Sequence, residues 1–216
     1  MTIPKIKILL VDDHAIVRAG FKMLLATHDG IEVLAEASCG ETALQQYQSL
    51  KPDLVIMDLS MPGIGGLETI KRLCQRDSSA LILVFSVHHE QVYINRALNS
   101  GAKGYITKNS APELLLEAIN AIMLGEIYIE KGLLNTKQSL ATTDYYQTII
   151  AGFSSREFEV FKRLAQGMSV YNIAEELCLS YKTVANYGTQ IRKKLQVNSL
   201  IEIARIAEDC HRVSGG

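Results

Sequence analysis

The chain opens on a nearly continuous apolar run, Ile6-Lys-Ile-Leu-Leu-Val11. A short run of this kind, bounded by polar residues, reads as a strand buried on both faces. Val17, Phe21, Leu24 and Leu25 follow at i, i+4, i+7 and i+8, the spacing of one helix face. The alternation then repeats. Further strands are expected at residues 31–35, 54–57, 81–85 and 104–106. Helices are expected at 41–50, after Gly66 with Leu67, Ile70 and Cys74 inward, at 91–99, and from Pro112 to Leu124. Five strands alternating with five helices predict an α/β doubly wound parallel sheet.

From residue 126 the pattern fades, and Ser, Thr, Gln and Asn crowd positions 135–143. Residues 126–150 are expected to be a linker with at most one helical turn. Beyond it no strand pattern returns. Ser154-Ser-Arg-Glu157 is a capping box that opens a helix with Val160, Phe161, Leu164 and Ala165 inward. Gly167 ends that helix, Ser169 starts a short one, Ser180 caps a third, and a fourth begins near Asn198. The chain thus divides into an α/β domain at 1–125, a linker at 126–150 and a four-helix domain at 151–216.

Nearly half the residues are apolar, but no run is long enough to span a bilayer and no signal-like start precedes the first strand. Cys39, Cys74, Cys178 and Cys210 fit neither a metal spacing nor a disulfide framework, so the cytoplasm is the expected location. The net charge of −1 hides a mild asymmetry, with −2 in residues 1–125 and +2 in residues 151–216. No acid lies between Glu176 and Glu202, while Lys182, Arg192, Lys193 and Lys194 fall inside that gap.

Candidate chemistry gathers where the strands end. Leu54-Val-Ile-Met runs straight into Asp58 and then into Pro62, Gly63, Gly65 and Gly66. The carboxyl edge of such a sheet is where ligands bind. The loops after strands one and three adjoin there, which brings Asp12 and Asp13 alongside Asp58. Singly, an Asp pair after a strand also reads as a helix N-cap, and one Lys as a solvated residue. Three carboxylates in one cleft repel unless a cation or protons join them, and Mg²⁺ suits such hard oxygen ligands. Ser86 and Lys108 end at the same edge. The set suits phosphoryl transfer to Asp58, with Lys108 offsetting charge and Ser86 donating to phosphoryl oxygens.

Residues 3–125 resemble the receiver domain of bacterial response regulators, a flavodoxin-like fold. The resemblance rests on Val11-Asp-Asp-His14, Met57-Asp-Leu-Ser-Met-Pro-Gly63, Ser86 and Gly101-Ala-Lys-Gly-Tyr-Ile-Thr-Lys108. It implies that Asp58 accepts a phosphoryl group from a sensor histidine kinase. It also implies Mg²⁺ held by Asp13, Asp58 and the Ser60 carbonyl, with Asp12 acting through water. Ser86 and Tyr105 become the switch pair, although Tyr105 alone reads as a half-buried strand aromatic. Val87 departs from the small residue usual after Ser86.

The helix from Tyr181 carries four cations and no acid, with Asn186, Thr189 and Gln190 beside them. Read as the second helix of a helix-turn-helix, its Lys and Arg hold phosphates while Asn and Gln read bases. A solvated basic face is the plainer alternative. Residues 153–207 resemble the LuxR-type helix-turn-helix through Ser155-Arg-Glu157, Leu164-Ala-Gln-Gly-Met-Ser169, Ile173-Ala174, Leu179-Ser-Tyr-Lys-Thr-Val184 and Lys194-Leu195. Together the two matches resemble the NarL/FixJ type of regulator. The resemblance places Lys182 and Thr183 on phosphates, Ala185, Asn186 and Thr189 in the major groove, and Arg192 and Lys193 on the backbone. Tyr187 and Gly188 depart from the family's usual residues, so base preference does not carry over.

The chain is therefore read as a phosphorylation-controlled transcription regulator and not an enzyme. Its expected partners are a sensor histidine kinase, double-stranded promoter DNA and, when phosphorylated, a second copy of itself; no membrane is involved. An output domain that binds RNA or protein is the alternative. A flavin-binding reading fails because Asp12 and Asp13 would repel a cofactor phosphate. A phosphate-ester hydrolase would need an acid two residues after Asp58, where Ser60 stands.

Overall fold

The computed structural model describes residues 5–110, 112–133 and 141–212. They form two compact units, the first of which takes in the sheet.

Along the chain the order is β1 (Ile6–Val11), α1 (Ala15–Ala26), β2 (Ile31–Ala37), α2 (Gly40–Leu50), β3 (Leu54–Met57) and α3 (Gly65–Arg76). Next come β4 (Ile82–Ser86), α4 (Gln91–Asn99), β5 (Gly104–Thr107), α5 (Pro112–Met123) and β6 (Tyr128–Ile129). Every pairing is parallel, in the order β2-β1-β3-β4-β5-β6. Residues of β1, β3, β4 and β5 alternate between two buried faces, which is why these strands read as nearly continuous apolar runs. Ile8, Leu10, Leu54, Ile56, Leu83, Phe85 and Ile106 line one face and join Leu25, Leu115, Ala118, Ile119 and Ile122 in a single core cluster. Leu9, Val11, Val55, Met57, Ile82 and Val84, which alternate with them, are also buried.

Two elements correct the expected linker, and the sheet has six strands where the apolar pattern predicts five. Gly125, at φ +87°, turns the chain back after α5, and Tyr128 and Ile129 then pair with Gly104 and Tyr105 as β6. A strand of two residues is too short to show a period. Downstream, α6 (Ala141–Ala151) is a full helix and not a single turn. Part of the polar run at 135–143 lies outside the described residues.

The second unit continues with α7 (Ser155–Ala165), α8 (Val170–Glu176), α9 (Tyr181–Leu195) and α10 (Leu200–Arg212). The capping box forms as expected: Glu157 N–H donates to Ser154 Oγ at 3.2 Å, and Ser154 N–H to Glu157 Oε2 at 2.8 Å. Helix α7 packs on α9 and α10, α8 packs on α9, and α6 contacts α9 and α10. Val160, Leu164, Ile173, Leu177, Val184, Ile191, Leu195 and Ile203 are almost wholly buried in this unit. Among the described residues no helix is long and apolar enough to cross a membrane.

Candidate functional site

The register of the sheet builds the acidic pocket. Val11 pairs with Met57 as the last rung between β1 and β3, so Asp12 and Asp58 leave neighbouring strands side by side. Asp58 N–H donates to Val11 O at 2.8 Å, extending the ladder by one bond. Both carboxylates are buried, Asp58 at 2% exposure and Asp12 at 5%. Lys108 leaves the end of β5, where its N–H donates to Ser86 O at 2.8 Å. Its Nζ reaches Asp12 Oδ2 at 2.5 Å and Asp58 Oδ2 at 2.9 Å. Burial pushes the Asp58 carboxyl above its ordinary range, and Lys108 works against that rise. Burial alone would lower the Lys108 ammonium, but its bonds to Asp12 and Asp58 outweigh it and hold the pKa above its usual value.

Each predicted pocket residue arrives at this edge. Asp12, Asp13, Asp58 and also His14 offer ligand atoms that lie within 4.8 Å of one another. One ammonium against three carboxylates leaves the pocket negative. Asp13 Oδ1 is closed to solvent, and its neighbour His14 Nδ1, at 2.7 Å, makes no hydrogen bond to it. A buried, under-satisfied oxygen among carboxylates fits a hard divalent cation such as Mg²⁺. Ser60 N–H donates to Asp58 Oδ1 at 3.2 Å, which sets the loop that carries the Ser60 carbonyl. Ser86 is fully buried at the end of β4, and its Oγ accepts the His88 N–H at 3.3 Å. Tyr105 is fully buried too, and its hydroxyl donates to His88 O at 2.8 Å. The two candidate switch residues thus hold opposite ends of the same backbone residue.

Four further residues hold the pocket's loops in place. His14 fastens Asp12 through its N–H, at 2.8 Å from Oδ1. Arg18 Nη1 donates to Asp12 O at 2.5 Å while Nε pairs with Glu36 at 3.1 Å. The His88 ring meets Ser60 Oγ at 3.0 Å, and Glu130 binds the loop around Lys108. Except for His14, which is local to Asp12, each acts across a loop or from a distant element, so spacing along the chain cannot disclose it.

On α9, Ser180 Oγ accepts the Thr183 N–H at 3.1 Å and caps the helix. Val184, Gly188, Ile191 and Leu195 are buried on one side. Lys182, Asn186, Thr189, Gln190 and Lys193 are exposed, with Thr183, Ala185 and Arg192 half-buried. Steps of three and four place Lys182, Asn186, Thr189 and Lys193 along one stripe. The Thr189 hydroxyl turns back onto Ala185 O at 3.0 Å. Lys194 leaves the basic set, for its Nζ pairs with Glu157 Oε1 at 2.7 Å.

Known proteins share both halves of this geometry. Residues 8–120 match the model of the response regulator receiver domain, and residues 151–207 that of the bacterial regulatory proteins of the luxR family. The transcriptional activator protein ExaE of Pseudomonas putida is 43% identical over 211 residues, covering 93% of this chain and 94% of the relative. The response regulator GacA of Pseudomonas aeruginosa is 36% identical over 206 residues, covering 94% and 95%. A solved structure of two RcsB dimers bound to two parallel DNAs superposes with a TM-score of 0.60 at 25% identity, covering 94% of this chain and 98% of that one.

Proposed function

Because the chain belongs to the two-component response regulators, in which a receiver domain is joined to a LuxR-family helix-turn-helix to control transcription, we propose that phosphorylation of Asp58 by a sensor histidine kinase switches it. The observation that carries this reading is the seat of Asp58, buried at a strand end with Lys108 shared between it and Asp12. An Asp58 oxygen bonds to phosphorus as the phosphorus–nitrogen bond of the kinase's phosphohistidine breaks and the imidazole leaves with the electron pair. Burial alone would favour a protonated, non-nucleophilic Asp58; the ammonium of Lys108 favours the carboxylate. Asp13, Asp58 and the Ser60 carbonyl would hold Mg²⁺, with Asp12 acting through water. A bound Mg²⁺ supplies positive charge against the phosphoryl oxygens.

Ser86 Oγ then turns toward the new oxygens. Since it holds His88 N–H while Tyr105 holds His88 O, its movement reaches the aromatic ring through one residue. A local charge event so biases a two-state element. The output is α9 in a major groove of promoter DNA, with Lys182, Thr183, Arg192 and Lys193 on phosphates and Ala185, Asn186, Thr189 and Gln190 toward the bases. The phosphorylated protein acts as a homodimer in the cytoplasm, a reading supported by the RcsB dimers on DNA. It is a switch and not a turnover enzyme.

Mass determination by size-exclusion chromatography tests the switch, with Mg²⁺ and beryllofluoride as a phosphoryl mimic. Wild type is expected to shift from monomer to dimer mass and Asp58→Ala to stay put. A shift in both proteins would remove Asp58 from the mechanism, and a shift in neither would remove dimerisation from it.

A further inference from the structure

Residues 126–133 are fastened to the sheet at two levels. In the backbone, Tyr128 N–H donates to Lys103 O and Glu130 N–H to Tyr105 O, both at 3.0 Å. At the side chain, Glu130 Oε2 accepts the Thr107 N–H at 2.7 Å and the Ser110 hydroxyl at 2.6 Å. Thr107 and Ser110 also bond to each other, Oγ1 to Oγ at 2.9 Å. These two residues flank Lys108, whose Nζ reaches Asp12 and Asp58. One carboxylate from the segment after α5 therefore clasps both sides of the loop that presents the pocket's ammonium.

We infer that Glu130 is a positioning residue for Lys108 and couples occupancy of Asp58 to the docking of residues 126–133. The inference rests on Asp58 being the phosphoacceptor. Hydrogen bonds to an ionised acceptor are stronger than neutral ones, so the clasp orders residues 107–110. A phosphoryl group on Asp58 adds negative charge toward which Lys108 is drawn, and that orders the same loop. Two events that share one ordering cost favour each other, and the coupling is reciprocal. Loading Asp58 therefore tightens β6 on β5, and releasing β6 weakens loading.

The test uses the full chain with Mg²⁺ and beryllofluoride. Binding is read from the ¹⁹F signal of the bound mimic, and docking from hydrogen exchange of peptides within 126–133. In wild type the mimic is expected to slow exchange in those peptides. Glu130→Ala should exchange faster at rest, lose the response and bind the mimic about fivefold or more weakly. Glu130→Gln keeps an acceptor oxygen but loses its charge, so its mimic affinity should fall between those of wild type and Glu130→Ala, which a merely unfolded variant would not show. Equal mimic affinity in wild type and Glu130→Ala, or an exchange rate indifferent to the mimic, overturns the coupling and leaves Asp58 as acceptor. Failure of wild type to bind the mimic overturns the Asp58 reading and the coupling with it.

Discussion

Two helical glycines, Gly66 and Gly188, carry opposite lessons about what a single hydrogen can be for. A methyl group added at Gly66 would sit 2.2 Å from Asp58 O and 2.6 Å from Leu59 Cα, both backbone. The start of α3 lies flush against the loop that carries Asp58, and only glycine permits that approach. At Gly188 the nearest atom to such a methyl is Leu164 Cδ1 at 3.7 Å, an ordinary contact. Gly188→Ala is therefore expected to raise stability by about 1 kcal/mol, the helix-propensity difference, and lift the melting temperature of the helical unit. Gly66→Ala is expected to lower the stability of the receiver by about 1–3 kcal/mol as the Asp58 loop is displaced. Thermal unfolding of the two variants beside wild type checks both signs. Helix geometry at Gly188 thus comes at a stability cost that nothing in its packing requires.

At the scale of elements, the capped entry to α7 shows how a buried carboxylate ties two helices. Glu157 completes the capping box on Ser154 and pairs with Lys194 from α9, with its side chain only 7% exposed. Burial alone would raise its pKa, but Lys194 and the Ser154 bonds outweigh it and hold the carboxyl below the ordinary glutamate value of 4.5. A depressed folded pKa contributes stability that is present above the unfolded value and lost as pH falls through the folded one. The melting temperature of the helical unit should therefore fall as the pH drops below about 4.5, and Glu157→Gln should flatten that dependence. The box itself is readable in Ser154-Ser-Arg-Glu157, because a cap is local chemistry at fixed spacing. The ends of β1, β3 and β5 are readable for a similar reason: apolar runs stop at Asp12, Asp58 and Lys108, and parallel order brings those stops together. What escapes is long-range. Lys194 looks like a DNA contact until α7 supplies Glu157, β6 exists only by virtue of β5, and α6, rich in Thr and Tyr, draws on its packing against α9 and α10.

For the molecule as a whole, association with DNA should be governed by few charges. Of the four cations on α9, Lys194 is engaged, which leaves Lys182, Arg192 and Lys193. The slope of log affinity against log salt should lessen by about 0.9 for each phosphate contact removed, so Lys182→Ala or Lys193→Ala in a two-fold dimer should each lessen it by about 1.8. Titrating promoter DNA at several salt concentrations measures it; an unchanged slope would take that residue off the phosphates. The sheet has a further consequence. Strand β5 has β4 on one side, and on the other its Lys103 and Tyr105 carbonyls and its Thr107 amide are taken up by Tyr128 and Glu130. A chain ending at residue 125 would keep every member of the acidic pocket. It would also bare a flank of unpaired peptide groups to any extended chain that drifted past, and such edges invite aggregation. The three residues 128–130 act as a stopper on an open seam, and a chain without them would lose solubility along with the clasp on Lys108.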